Sequence, residues 1–455
     1  MTATGQERFD RKLIAPMVLG SALNPVNSSM IAVALVPIGA ALGAPPAETA
    51  WLVSALYLAT AIGQPVVGRL VDLHGPRRLF LAGAALLGIA GVLGALAPNL
   101  GVLVVARVLI GFGTCAGYPA AMHLIRSESR RTGRDSPNGV LTALAISAQT
   151  IAVVGPTLGG LLIGFGGWRT VFAVNIPLSL ACLVLGALRL PRGGGHESGS
   201  GSLDVPGIAL FAATLSALLL FLMEPSTAHW YLPVLAVAAG AGFAVRELRA
   251  AEPFLDLRVL AGNPPVLGTF ARTLLAFTVS YAFLFGYTQW MEQGRGLTPT
   301  KSGLVLLPMF LTGIVVSSTT GRSDGVRGKL LVGGLAQLVA CALLLFVGAR
   351  SGIWLLVAIA VVVGIPQGLI SLANQKALYH QADPERMGSS AGLLRTFTYV
   401  GAMVAAAAGG TFLSGGADTT GLHGLALFLI VVAALLLVVT VLDRTLRRLG
   451  PAAVR

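Results

Sequence analysis

The stretch Gly68–Arg78, GRLVDLHGPRR, decides how the chain is read. It lies between two long apolar runs and brings Arg69, Asp72, Arg77 and Arg78 into one turn, with His74 among them. Gly68 and Gly75 permit backbone turns that a Cβ would hinder. A weaker echo, GRSDGVRGK at Gly321–Lys329, again separates two apolar runs. A charged turn repeated at matching places in two halves predicts a duplicated bundle of membrane helices.

Working outward, the composition sets the class. The 455 residues are 55% hydrophobic and only 11% charged. A soluble surface needs about 25% charged residues, so this chain cannot cover one. Apolar runs of about 18 residues or more recur along it, as spanning helices require. The period-2 alternation of a membrane β-barrel is missing from these runs. The expected fold class is therefore an all-α polytopic membrane protein.

Fourteen spans are expected. The first six lie at 13–42, 49–71, 79–97, 101–125, 138–165 and 169–189. Two follow at 205–223 and 229–246. The last six lie at 263–290, 302–320, 329–349, 353–376, 387–415 and 422–442. The organisation expected is an N-terminal six-helix bundle at 1–190 and a flexible cytoplasmic linker at 191–204. An inserted helix pair at 205–246 and a C-terminal six-helix bundle with a tail at 247–455 complete it. The linker, within PRGGGHESGSGS, has the Gly/Ser content of flexible chain.

The charges orient the bundle. Of 31 Lys and Arg, 24 fall on one set of loops, four on the other and three inside spans. Basic loops face the cytoplasm, so both termini are expected there. The same split accounts for the net charge of +13 without a nucleic-acid partner. Cys115, Cys182 and Cys341 lie in apolar runs and read as buried thiols. No P-loop, nucleophile–base pair or metal-ligand cluster occurs, so neither an ATP-driven pump nor an enzyme is expected. No metal or cofactor is expected.

Three arginines inside spans, Arg107, Arg272 and Arg395, are costly. On insertion scales a mid-bilayer cation costs about 2.5–3.5 kcal/mol without a partner or water. Each either faces a central cavity or joins a structural network to carbonyls. Asn24, Asn27, Gln149, Tyr281 and Gln367 are polar on apolar spans, and each either contacts substrate or bridges helices. Glu292, after Tyr287, Gln289 and Trp290, is either a cavity-rim acid or an interface acid in an aromatic belt. His123 reads as a packed or headgroup-level histidine. No acid falls near the middle of a span.

Several motifs carry a resemblance. GRLVDLHGPRR resembles the loop between spans 2 and 3 of the major facilitator superfamily. VARVLIGFG, Val105–Gly113, is similar to the span-4 motif, with Arg107 in its arginine place. GPTLGG, Gly155–Gly160, resembles the span-5 antiporter motif. WRTVFAVNIP at Trp168–Pro177 and PFLDLRVL at Pro253–Leu260 look like the fourteen-span branch, the drug:proton antiporters. Two positions depart from the pattern. Asn27 stands where the family usually has an aspartate, and Ile110 where it usually has a glutamine.

The resemblance implies two six-helix bundles plus two extra central helices, alternating access, efflux of drug-like compounds and a proton gradient as the driving force. It implies a bacterial inner-membrane monomer acting on a small-molecule substrate in the lipid bilayer. On this reading Gly68, Asp72, Gly75, Arg77 and Arg78 form a latch, in which Asp72 meets a basic group or a helix N-terminus of the other half. The bland alternative is a turn that only fixes orientation. Gly155, Pro156, Gly159 and Gly160 would serve close packing and a kink in span 5. Two further functions stay open: exchange or facilitation of an anionic metabolite, and a non-transporting membrane sensor.

Overall fold

The computed structural model describes the chain except residues 1–8, 45, 50, 133–137, 193–203, 224, 225, 251, 252, 256, 298, 322, 324, 414–416 and 450–455. All regular structure among the described residues is helical. Long helices are labelled in chain order. They are α1 (Ile14–Leu42), α2 (Trp51–His74), α3 (Pro76–Ala95), α4 (Leu100–Thr114), α5 (Gly117–Thr132), α6 (Asn138–Gly166) and α7 (Asn175–Arg189). Then come α8 (Val205–Met223), α9 (Tyr231–Arg249), α10 (Pro264–Gln289) and α11 (Pro299–Thr320). The last are α12 (Val326–Leu344), α13 (Ile353–Gln381), α14 (Met387–Leu413) and α15 (Thr419–Leu442).

Thirteen helical segments among the described residues are long and apolar enough to cross a membrane. The helix α6, 29 residues long, stands in the place of the expected fifth span. Local chemistry sets many ends. Asn99, Asn263 and Asp418 each accept a backbone N–H in the first turn of α4, α10 and α15. Gly75 has φ +86° and hands Pro76 to the first position of α3, where the missing N–H costs nothing. Large apolar side chains point outward, as with Phe165 at 86% and Trp354 at 85% exposure. Such surfaces suit hydrocarbon.

The helices divide into two compact units, residues 1–203 with 382–396, and residues 204–381 with 397–455. In the first, α1 packs along α6, and α3 lies against α4 and α7. In the second, α13 is the central rod, packed on α11 and α12. Its apolar core includes Phe283, Tyr287, Trp290, Met309, Leu356, Leu425 and Leu429. The pair α8 and α9 belongs to this second unit.

Several expected boundaries change: the sixth span breaks at Val174 and the eleventh ends at Leu344, and three others change more. The fourth span is not one rod to residue 125, because α4 stops at Thr114 and α5 carries the chain on to Thr132. The ninth is extended by a wide π-helical turn, Trp290–Gly294, in which Glu292 sits half-buried. The twelfth runs to Gln381 instead of ending at Lys376. Lys376 is not a loop charge but buried, donating from Nζ to the carbonyls of Gly321 at 2.7 Å and Ser323 at 2.9 Å. These bonds replace the solvation that a loop would have given. Arg322 and Asp324 of the second charged turn, and most of the 191–204 linker, lie outside the described residues.

Candidate functional site

The last turn of α2 and the first turn of α14 meet inside the first unit. A helix start leaves backbone N–H groups without intrahelical partners, and the 27-residue α14 adds a positive dipole end. Asp72 answers both. Its Oδ1 accepts the Gly388 N–H at 2.8 Å, and its Oδ2 accepts the Ser389 N–H at 2.8 Å and the Ser389 hydroxyl at 2.7 Å. The carboxylate is buried. Hydrogen bonds to a charged group are worth about 1.5–3 kcal/mol each, so this contact is among the strong ones of the fold. His123 brings Nδ1 to 3.3 Å from Asp72 Oδ1. His123, expected as a packed or headgroup-level histidine, lies 51 residues from Asp72 in the chain.

Glycines make this approach feasible. Gly68, expected to relax a turn, instead lies within α2, and a Cβ there would meet the Gly388 carbonyl. A Cβ on Gly388 would stand 2.6 Å from both Asp72 Oδ1 and the Gly68 carbonyl oxygen. One turn on, Gly392 lies against the Gln64 carbonyl, and Thr396 Oγ1 donates to the Ala61 carbonyl at 2.8 Å. The remaining residues of the turn act elsewhere. Gly75 supplies the positive φ. Arg77 donates to the Ala187 carbonyl at the end of α7, and Arg78 is exposed.

A second polar layer crosses the same unit. Arg107, 2% exposed, donates from Nε to the Leu52 carbonyl at 2.7 Å and from Nη1 to the Asn27 carbonyl at 3.1 Å. Its Nη2 has no partner. Asn27 donates to Asn175 Oδ1 at 2.7 Å and to the Leu23 carbonyl. Asn24 donates to Thr114 and Thr60. The asparagines therefore bridge α1 to α2, α4 and α7 in this conformation. Asn175, Thr60 and Thr114 escaped sequence reasoning because a single polar residue in an apolar helix gives no signal until its partner is known. Ile110, at the departure in span 4, is fully buried.

The other candidates sort by environment. The Arg395 guanidinium lies over the Tyr118 ring, 4.1 Å from its centroid, and the buried Tyr118 hydroxyl has no partner. Arg272 is fully buried. It donates to Asp443 Oδ2 and to Thr269 Oγ1, both at 2.7 Å. Burial pushes the Asp443 carboxyl up, but the Thr445 and Arg272 hydrogen bonds outweigh it and hold the group below the usual carboxylate range. Tyr281 is half-buried and stacks on Phe285, while Gln367 is half-buried on α13. Gln149 falls on α6, and its side chain lies outside the described residues.

The span-5 motif packs α6 on α1. A Cβ on Gly155 would strike Ser29, and one on Gly159 would stand 3.0 Å from the Met30 carbonyl. Gly160 faces open space, so only two of the three glycines serve this approach. Pro156 is half-buried within α6.

An all-helical chain with this many apolar spans, buried cations and a carboxylate-capped helix start is a polytopic membrane protein of the carrier type. The Major Facilitator Superfamily model matches residues 17–406, and the chain belongs to that family. It is 33% identical over 396 residues to the uncharacterized MFS-type transporter YwoD of Bacillus subtilis, covering 85% of this chain and 86% of the relative. It is 29% identical to the tetracenomycin C resistance and export protein of Streptomyces glaucescens, covering 88% of this chain and 75% of that one. The methylenomycin A resistance protein of Streptomyces coelicolor is likewise 29% identical, with 93% and 90% covered. Among solved structures, the human organic anion transporter MFSD10 superposes with a TM-score of 0.67 at 14% identity, covering 94% of this chain and all of that one. That likeness concerns the fold. The protein is thus a multi-pass membrane transporter and not an enzyme.

Proposed function

We propose that this transporter exports small amphiphilic, drug-like compounds across a bacterial inner membrane by alternating access, as a member of the fourteen-span branch. The reading is supported by the names of the two Streptomyces relatives, both antibiotic resistance proteins. The observation that carries the mechanism is the Asp72 cap on α14. A buried three-bond contact between helices more than 300 residues apart is a discrete state that an alternating cycle has to break and remake. Both termini are assigned to the cytoplasm on the charge split of the loops.

Proton antiport is the coupling this reading adopts. Its test is tracer flux in proteoliposomes with an imposed pH gradient, comparing an amphiphilic cation with an organic anion. Acceleration of cation flux by the gradient supports drug:proton antiport. A second reading, exchange of an anionic metabolite, draws on the unpartnered Arg107 Nη2. It predicts anion flux indifferent to the gradient.

A further inference from the structure

The inserted pair α8 and α9 carries a carboxylate arrangement that neither the latch nor the arginines use. Asp204 stands just ahead of α8 and caps it, accepting the Gly207 N–H on Oδ1 at 3.1 Å. Arg246 of α9 clamps the same carboxylate, with Nη2 at 2.9 Å from Oδ1 and Nε at 3.2 and 3.3 Å from the two oxygens. The next residue, Glu247, is 0% exposed. Its Oε2 accepts the Leu255 N–H at 2.9 Å, and its Oε1 has no partner. Gly207 shows where Oε1 points. A Cβ built there would stand 2.5 Å from Glu247 Oε1 and 2.6 Å from Asp204 Oδ2. Both carboxyl oxygens therefore border the space that a Cβ on Gly207 would fill, and the glycine leaves it open.

A fully buried carboxylate with one oxygen unsolvated and a second carboxylate opposite is a costly state. Two carboxyls sharing a site do not both ionise readily, and an unpaired buried charge neutralises instead. Among the described residues the facing charged groups are few. Asp204 approaches from the α8 side and Arg246 from the same helix. Arg258, on the short turn Leu257–Ala261, directs its guanidinium to the Ala250 carbonyl. Arg246 is committed to Asp204. Burial pushes Asp204 up, yet the Arg246 and Gly207 hydrogen bonds hold it below the usual carboxylate range. Asp204 therefore keeps the negative charge, and the group left to neutralise is Glu247.

We infer that Glu247 is a proton-binding site, carrying a proton on Oε1 at neutral pH and donating it as a hydrogen bond to Asp204 Oδ2. Binding takes one proton from the inner aqueous phase and changes Glu247 from −1 to neutral; nothing else is consumed. Release leaves two anions bordering the space at Gly207 with one guanidinium between two claims. The foot of α8 then keeps its Arg246 clamp but loses the hydrogen bond from Glu247, which makes the inserted pair proton-responsive. The inference holds whatever the cargo, and it supplies a protonatable acid that the middles of the spans lack.

The test is infrared spectroscopy of the full-length protein reconstituted in lipid at neutral pH, wild type against E247Q. The expected difference is one protonated-carboxyl C=O band present in the wild type and lost in the variant. Loss of a carboxylate band instead means that Glu247 is ionised and overturns the inference. D204N provides an independent arm that needs no E247Q protein. It should remove a carboxylate signal and shift the frequency of the protonated-carboxyl band, because the acceptor has changed. Removal of the carboxylate with no feature in the carboxyl region overturns the shared proton.

Discussion

Asp72 and Ser389 share two hydrogen bonds, from the Ser389 amide at 2.8 Å and from its hydroxyl at 2.7 Å, both to Oδ2. The aspartate thus does for α14 what a local N-cap residue does for an ordinary helix, from 317 residues away in the chain. An N-cap made by a distant residue holds two helices together as well as ending one of them.

Replacing Asp72 by Asn removes the charge and turns one acceptor into a donor facing backbone N–H groups. A lost charge-assisted contact of this kind costs about 2 kcal/mol or more. D72N should insert and chromatograph as the wild type does while its transport falls at least about tenfold, since 1.4 kcal/mol is one decade. Flux in proteoliposomes beside size-exclusion profiles is the check; wild-type flux would remove the contact from the transport cycle.

The two halves of the span-5 motif should respond differently to a methyl group. Gly155→Ala drives a Cβ into Ser29, whereas Gly160→Ala adds a Cβ to open space. Overpacking of this sort costs about 1–3 kcal/mol. Thermal unfolding in detergent should fall clearly for G155A and stay near wild type for G160A.

The Arg395–Tyr118 contact is a cation–π pair, so the ring matters and the hydroxyl does not. Tyr118→Phe should keep the contact and relieve an unpartnered buried hydroxyl. Tyr118→Leu should lose about 0.5–2 kcal/mol of coupling to Arg395. A double-mutant cycle with Arg395→Met, read by thermal unfolding, separates the two.

The Arg272–Asp443 pair predicts an acid limb of stability. Asp443 is depressed in the folded protein, so its contribution is complete above the ordinary aspartate range of about 3.9. It is lost as pH falls through the lower folded value. Stability measured from about pH 5 downward should decline less steeply in Asp443→Asn than in the wild type. Identical slopes would show that the pair contributes nothing.

Much of this was legible in the residue string. Runs such as Thr419–Leu442 can only be hydrocarbon-spanning helices, because the desolvation of the backbone forces helical pairing wherever side chains are apolar for that length. The turn Gly68–Arg78 marked Asp72 and Gly75, and their roles follow from charge and from the missing Cβ. The role of Gly68 was misread, since a glycine that frees φ and a glycine that admits a neighbouring carbonyl look alike in one dimension. Lys376, at the expected end of the twelfth span, shows the same limit: a lysine there looks like an end charge unless the carbonyls of Gly321 and Ser323 are known to wait for it.

The sequence by itself therefore determined the membrane class, the helix content, the family likeness and the acid that the charged turn presents. These depend on composition and on neighbours along the chain. Only the tertiary structure decided which helix start Asp72 serves, that Asn24 and Asn27 are spent on bridges, and that Glu247 and Asp204 both border the space at Gly207. Hydrogen-bond partners and burial are properties of pairs brought together through space, and desolvation gives a buried polar atom its meaning only once its neighbours are fixed.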